Sequence, residues 1–171
     1  TSRFKYFLSQ ELKVPVKKIE SLVLGGHGDT MVSMLNHTLV DKKPLLDLVK
    51  EGKLDKDILK NIVQRTKSGG AEIVKLLEKG SAFYAPAASG VEMAESYLKD
   101  LKKQLPCATY LNGEYGVKDL YAGVPVIIGK NGIEKIIEID LNIEEKKNFD
   151  YSIDAVKELF DAAKKIDIKL S

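Results

Sequence analysis

With 171 residues the chain can build one domain with a real core, but it is too short for two large ones. Its 27 basic and 25 acidic residues are spread along the chain, which argues against nucleic-acid binding, and no apolar run approaches the roughly 20 residues that span a bilayer. A lone Cys107 cannot form an internal disulfide, and no signal peptide is recognised, so we expect a cytoplasmic protein.

The first third of the chain predicts one helix followed by two short strands. Residues 2–12 have helical spacing, with Thr1 or Ser2 as the N-cap. Residues 20–24 form an apolar run that stops at two glycines, which is typical of a buried strand. Residues 31–35 predict a second strand just after that loop.

The middle third predicts helices. One begins after Asp55 as its N-cap and is interrupted at Gly69 and Gly70. Another begins near Pro86 and is closed by Pro106. Apolar residues at spacings of three and four follow this second helix from Val91 to Leu105. Such a stripe is most often core, and packing between subunits is the second interpretation.

From residue 107 the spacing of the apolar residues becomes that of β-strands. Strands are predicted at residues 107–112, 124–130 and 133–139, with Asn131 and Gly132 as a hairpin turn. A capping box at Asn142 and Glu145 opens a final helix. Grouped helices, an antiparallel meander and a last helix predict a single α+β domain over residues 1–171, with a mixed or antiparallel sheet.

The loop after the first strand holds the residue best suited to chemistry. His27 lies between two glycines, and histidine is the residue type best suited to exchange a proton near neutral pH. An ordinary hydrogen-bonded loop histidine fits the spacing equally well. The loop lacks the glycine patterns of phosphate cradles, and His37 is the only other histidine, so neither a nucleotide-phosphate site nor a metal site is expected here.

Residues 26–32 (GHGDTMV) resemble the active-site loop of the lactate/malate dehydrogenase family. Five further segments resemble other parts of the same family: residues 1–4 (TSRF), 65–74 (RTKSGGAEIV), 80–88 (GSAFYAPAA), 106–116 (PCATYLNGEYG) and 123–129 (GVPVIIG). The resemblance covers essentially the whole chain and is nearest to the lactate-dehydrogenase-like malate dehydrogenases of bacteria. It implies the fold of the family's C-terminal, substrate-binding and catalytic domain.

The resemblance also implies roles for individual residues. His27 would be the acid/base that takes the hydroxyl proton of (S)-malate as hydride leaves for NAD, and Arg3 would hold the substrate carboxylate through its planar fork. Ser81 and Ala82 fall where the family lines its substrate pocket. Arg65, the second of only two arginines, matches a position for which we expect a structural or intersubunit role.

The same resemblance implies functional parts of the family's proteins that these residues do not contain. The family's aspartate partner of the histidine would precede Thr1, and neither the Rossmann half that binds NAD nor the loop that distinguishes malate from lactate is found in the sequence. We therefore expect a fragment of an NAD-dependent malate dehydrogenase of the tricarboxylic acid cycle. We expect it to be inactive alone, to take a 2-hydroxy or 2-keto dicarboxylate, and to form a homodimer or homotetramer.

Three alternatives stay open at this point. L-lactate dehydrogenase shares His27 and Arg3, and the loop that separates the two activities is not in the sequence. A stand-alone, non-catalytic oligomerisation domain would suit the long apolar stripe. A half of the NAD- and metal-dependent glycosidases is disfavoured, because the sequence offers no Cys/His set for a metal.

Overall fold

A computed structural model describes residues 1–167 of the chain, which divide into two compact units. The first unit comprises Thr1–Val23 and Ser33–Ala94, and the second comprises Leu24–Val32 and Glu95 onward. The helices of the described residues are α1 (Ser2–Leu12), α2 (Leu45–Lys50), α3 (Lys56–Leu77), α4 (Tyr84–Leu98) and α5 (Ile143–Ile166). The strands are β1 (Ile19–Glu20), β2 (Val23–Leu24), β3 (Val32–Ser33), β4 (Leu39–Val40), β5 (Lys43–Pro44), β6 (Lys103–Asn112), β7 (Lys118–Gly129) and β8 (Gly132–Ile136).

The first unit is built mainly from helices. Its core is the apolar face of α1 packed on α2 and α3, beside a small antiparallel sheet in the order β1-β4-β5. Phe4 and Leu8 of α1 are fully buried there, as is Leu45 at the start of α2. The i, i+4 spacing of Phe4 and Leu8 places both on one helix face, as the sequence predicts.

The predicted interruption of α3 at Gly69 and Gly70 is wrong. One helix runs unbroken from Lys56 to Leu77, and Asp55 caps it by accepting hydrogen bonds from the N–H groups of Asp57 and Ile58. Glycine inside a helix costs about 1 kcal/mol relative to alanine, so local propensity alone favours a break. Tertiary packing explains the continuity, because the side chain of Arg3 lies against these two glycines.

The second unit is an antiparallel sheet with α5. The strand order is β6-β7-β8, and alternate residues of β6 from Cys107 onward are buried, as expected for a sheet with one covered face. Helix α5 begins at the predicted capping box of Asn142 and Glu145. Phe149 of α5 is fully buried and its ring centroid lies 5.3 Å from that of Tyr115. The predicted α+β class, with an antiparallel sheet and grouped helices, is confirmed.

The helix predicted to run to Pro106 ends earlier, at Leu98. Asp100 and Lys102 have positive φ angles, and Pro106 lies inside β6, paired with Pro125 of β7. The buried Ser96 explains the change: its hydroxyl donates to the Ile128 carbonyl at 2.7 Å and accepts the Lys103 N–H at 3.2 Å. The stripe from Val91 to Leu105 therefore belongs to a helix and a strand.

The predicted strands are present with different bounds: β6 and β7 begin earlier than predicted, whereas the others are shorter. The run at residues 20–24 is divided between β1 and β2, and the run at 31–35 supplies only β3. The hairpin at Asn131 and Gly132 is confirmed, although the turn lies one residue earlier, with Gly129 paired to Gly132. Gly132, and not Asn131, takes the positive φ, which suits a turn closed by a glycine bulge.

Candidate functional site

Arg3 lies in the first unit, one residue into α1, with its side chain laid against α3. Its Nη1 donates a hydrogen bond to the Thr66 carbonyl at 3.2 Å. A Cβ on Gly69 would lie 2.9 Å from Arg3 Cδ, so an alanine there would displace the side chain. The absence of side chains at Gly69 and Gly70 creates the channel along α3 in which the guanidinium rests.

The two arginines of the chain have opposite surroundings. Arg65 forms a two-pronged ion pair with Glu72, at 3.1 Å from Nε and 2.7 Å from Nη2, and its guanidinium lies 4.4 Å from the Phe7 ring centroid. These hydrogen bonds hold the pKa of Glu72 below its usual range. Arg3 is half-buried and has no ion pair among residues 1–167. Arg65 thus joins α1 to α3, whereas the guanidinium of Arg3 has no carboxylate partner among the described residues.

His27 lies in the second unit, on a loop whose backbone is bonded to the sheet. Gly25 and Gly123 of β7 exchange both of their N–H···O=C hydrogen bonds, each at 2.9 Å. A Cβ on Gly123 would lie 2.7 Å from the Gly25 carbonyl oxygen, and Gly25 itself has φ +91°. Two glycines are needed because the backbones approach so closely and one of them is left-handed.

The other side of the loop is bonded to α5. Ser152 is fully buried, and its hydroxyl accepts the Gly26 N–H at 2.8 Å and lies 3.3 Å from Thr30 Oγ1 as a donor. The loop closes with the Met31 N–H donating to the Gly28 carbonyl at 3.2 Å. The backbone on both sides of His27 is therefore fixed by hydrogen bonds.

The imidazole of His27 is exposed, in contrast to the backbone that carries it. Within the described part of the chain it makes no hydrogen bond or ion pair. An exposed imidazole on a rigid loop can accept or donate a proton to a small molecule that reaches it.

Ser81 and Ala82, predicted to line a substrate pocket, lie in the connection between α3 and α4. Ser81 is exposed and Ala82 is half-buried. No hydrogen bond joins either residue to Arg3 within residues 1–167, so their assignment remains a prediction from resemblance.

A cleft of about 550 Å³ opens in the first unit, away from these residues. Its walls come from α1 and α3 and include Tyr6, Gln10, Ile58 and Arg65. Neither Arg3 nor any other predicted site residue lines it. Its charged lining residues are Glu11, Lys13 and Arg65, and Arg65 is already bound to Glu72.

Sequence reasoning missed Ser152, Gly123 and Thr66. Ser152 has a recognisable signal, because a serine occupies an apolar position of α5 between the buried Phe149 and Ile153. Gly123 and the Thr66 carbonyl have no such signal, since their roles depend on residues brought close by the fold.

The structure thus has α+β architecture, with a half-buried arginine that forms no ion pair among residues 1–167 in one unit and a backbone-anchored histidine loop in the other. The lactate/malate dehydrogenase alpha/beta C-terminal domain matches residues 1–166. The chain belongs to the lactate/malate dehydrogenase family.

Relatives and solved structures agree with this assignment. A malate dehydrogenase of Pelagibacter ubique (strain HTCC1062) is 70% identical over 171 residues, which cover 100% of this chain and 53% of that protein. The crystal structure of Cryptosporidium parvum malate dehydrogenase is 44% identical with a TM-score of 0.93, covering 96% of this chain and 52% of that one. Eimeria maxima lactate dehydrogenase with NADH and oxamate is 42% identical with a TM-score of 0.94, covering 98% and 52%.

The chain spans about half the length of the proteins that it matches. Among the described residues, no helix is long and apolar enough to cross a membrane. No group of three or more His, Cys, Asp or Glu side chains in residues 1–167 is placed to hold a metal ion.

Proposed function

We propose that the chain is the substrate-binding half of an NAD-dependent malate dehydrogenase, which interconverts (S)-malate and oxaloacetate. The observation that carries the proposal is the half-buried guanidinium of Arg3, which has no acidic partner among the described residues. A partly buried charge is normally paired, because desolvation of a single ion is costly. A substrate carboxylate would supply the missing charge and would accept two parallel hydrogen bonds from the planar fork.

His27 is proposed to move the proton. In malate oxidation its imidazole accepts the proton of the C2 hydroxyl, and in the reverse direction it returns that proton to the oxygen of oxaloacetate. NAD, when bound, supplies the acceptor for the hydride that leaves C2 with its bonding electron pair. Both three-stranded sheets are antiparallel and the sequence has no glycine-rich dinucleotide fingerprint, so these residues do not fit the dinucleotide and we do not assign its binding to them.

Malate is favoured over lactate by similarity. The 70% identical relative is named a malate dehydrogenase, whereas the lactate dehydrogenase of Eimeria maxima is 42% identical. Comparing kcat/KM for oxaloacetate with that for pyruvate separates the two activities. A higher value for pyruvate would replace malate by lactate and leave the roles of His27 and Arg3 unchanged.

Paired substitutions in the complete dehydrogenase test the proposal. His27→Asn removes the acid/base, so we expect kcat to fall about 100- to 10,000-fold with NADH binding unchanged. Arg3→Lys keeps the charge but loses the fork. The loss of a charge-assisted hydrogen bond costs about 1.5–3 kcal/mol, so kcat/KM should fall roughly 10- to 150-fold, mainly through KM.

The matched control is Arg65→Lys, which changes the other arginine. Because Arg65 is bound to Glu72 and Phe7, its replacement should leave KM for the dicarboxylate near the wild-type value. Full activity of His27→Asn together with a silent Arg3→Lys would refute the proposed function.

We also propose that the protein self-associates. Tyr84, Val91 and Leu98 recur every seven residues on α4, which places them along one side of the helix, and they are 82%, 68% and 78% exposed. A row of exposed apolar side chains is characteristic of an interaction surface. Sedimentation at micromolar concentration should show a dimer or tetramer, and Leu98→Lys should shift it toward monomer. A monomeric wild-type protein would contradict this.

A further inference from the structure

The hydroxyl of Ser152 connects helix α5 to both arms of the His27 loop. It accepts the N–H of Gly26, which directly precedes His27, at 2.8 Å. It also lies 3.3 Å from the hydroxyl of Thr30, on the far side of the same loop. One fully buried side chain, 126 positions away from Gly26 in the sequence, therefore holds the segment on either side of the histidine.

Ser152 differs from the two hydroxyls of α3 in where its hydrogen bonds go, and resembles Ser96 of α4, whose hydroxyl also bonds outside its own helix. Thr66 and Ser68 of α3 each bond to the carbonyl four residues earlier in their own helix, at 2.8 and 2.9 Å. Such back-bonding is the usual behaviour of serine and threonine inside a helix. Ser152 instead directs its hydroxyl out of α5 and into the loop, which indicates a role outside its own helix.

The loop backbone is shaped to receive this hydroxyl. A Cβ on Gly25 would lie 2.3 Å from Ser152 Oγ, and a Cβ on Gly26 would lie 2.8 Å from Val156 Cγ2. The two glycines therefore bring the main chain directly against α5, at hydrogen-bonding distance from the serine. With Gly25 also bonded to Gly123, the Gly26 peptide is fixed from the sheet and from the helix.

We propose that Ser152 is a positioning residue for His27: by fixing the orientation of the Gly26 peptide, it aims the exposed imidazole at the substrate. The inference rests on the proposed function, because it needs His27 to act as the acid/base. Ser152 acts on the loop through its hydrogen bonds to the Gly26 N–H and the Thr30 hydroxyl, and not through a bond to the imidazole. Misplacement of a reacting group by about 1 Å can cost about 100-fold in rate, so small changes in this peptide matter.

The test is Ser152→Ala in the complete dehydrogenase. We expect kcat to fall about 10- to 100-fold, while the KM values for NADH and oxaloacetate change by less than about twofold. The matched control is Ser96→Ala, which removes an equally buried serine with two hydrogen bonds in the same unit. It should lower the melting temperature comparably and leave kcat unchanged.

Two further variants keep the test decisive. If Ser152→Ala does not fold, Ser152→Cys keeps an atom at the γ position, a larger sulfur that accepts hydrogen bonds weakly, and it should show the same fall in kcat. Combining Ser152→Ala with His27→Asn should lower the residual kcat no further, because the serine acts through the histidine.

The outcomes separate this inference from the proposed function. A kcat within about twofold of wild type, an equal fall in Ser96→Ala, or an additive loss in the His27→Asn background would overturn the role of Ser152 while leaving His27 as the acid/base. Full activity of His27→Asn alone would overturn both.

Discussion

The structure holds Arg3 by its side chain and His27 by its backbone. At Arg3 the structure holds the side chain, which lies in the channel over Gly69 and Gly70 with its Nη1 bonded to Thr66. At His27 it holds the backbone, which is bonded to Gly123, while the imidazole is exposed.

The difference follows from what each group is proposed to do. A guanidinium that grips a carboxylate works best when its plane is already oriented, because less side-chain entropy is then lost on binding. An imidazole that exchanges protons must contact the substrate both with and without its extra proton. Hydrogen bonds that fix its position are therefore made by the main chain and not by the ring. Glycine serves both regions, in one by making room for a side chain and in the other by letting two backbones meet.

The largest expected effect comes from breaking the backbone anchor. In Gly123→Ala the new Cβ would lie 2.7 Å from the Gly25 carbonyl oxygen, so the bridge of two hydrogen bonds must open. Overpacking and the lost bonds together should lower the free energy of unfolding by about 3 kcal/mol. Chemical denaturation measures the loss, and kcat should fall with it. Gly90→Ala is the control, since its Cβ meets nothing within 4 Å.

A smaller and more selective effect is expected when the side-chain anchor is disturbed. In Gly69→Ala the Cβ would lie 2.9 Å from Arg3 Cδ, so the arginine must shift while α3 gains about 1 kcal/mol of helix propensity. We expect KM for oxaloacetate to rise about tenfold, equivalent to about 1.4 kcal/mol, with a melting temperature at or above that of wild type.

The neighbouring glycine supplies the control. A Cβ on Gly70 would lie 3.6 Å from Arg3 Nη2, which is ordinary contact, so Gly70→Ala should stabilise the protein by up to about 1 kcal/mol and leave KM unchanged. Equal KM values for Gly69→Ala and Gly70→Ala would show that the channel does not position Arg3. A rise in KM for Gly123→Ala without a fall in kcat would contradict the distinction between a region that fixes the proton-transfer group and a region that fixes the substrate-binding group.

Elements with local signals were predictable from the sequence. The apolar face of α1, the cap at Asp55 and the capping box at Asn142 all depend on residues within four positions of one another, and each is present. The family likewise follows from contiguous segments such as residues 26–32, because close backbone approach at His27 leaves a run of glycines in the sequence itself.

Only the tertiary structure decided the features that join distant parts of the chain. Arg3 meets Thr66 across 63 positions, which explains why two glycines sit inside an unbroken helix. Ser96 reaches Ile128 across 32 positions and ends α4 where periodicity alone continued it. Ser152 reaches Gly26 across 126 positions of the sequence. Periodicity and propensity describe neighbours along the chain, whereas these hydrogen bonds form only after packing has brought their partners together.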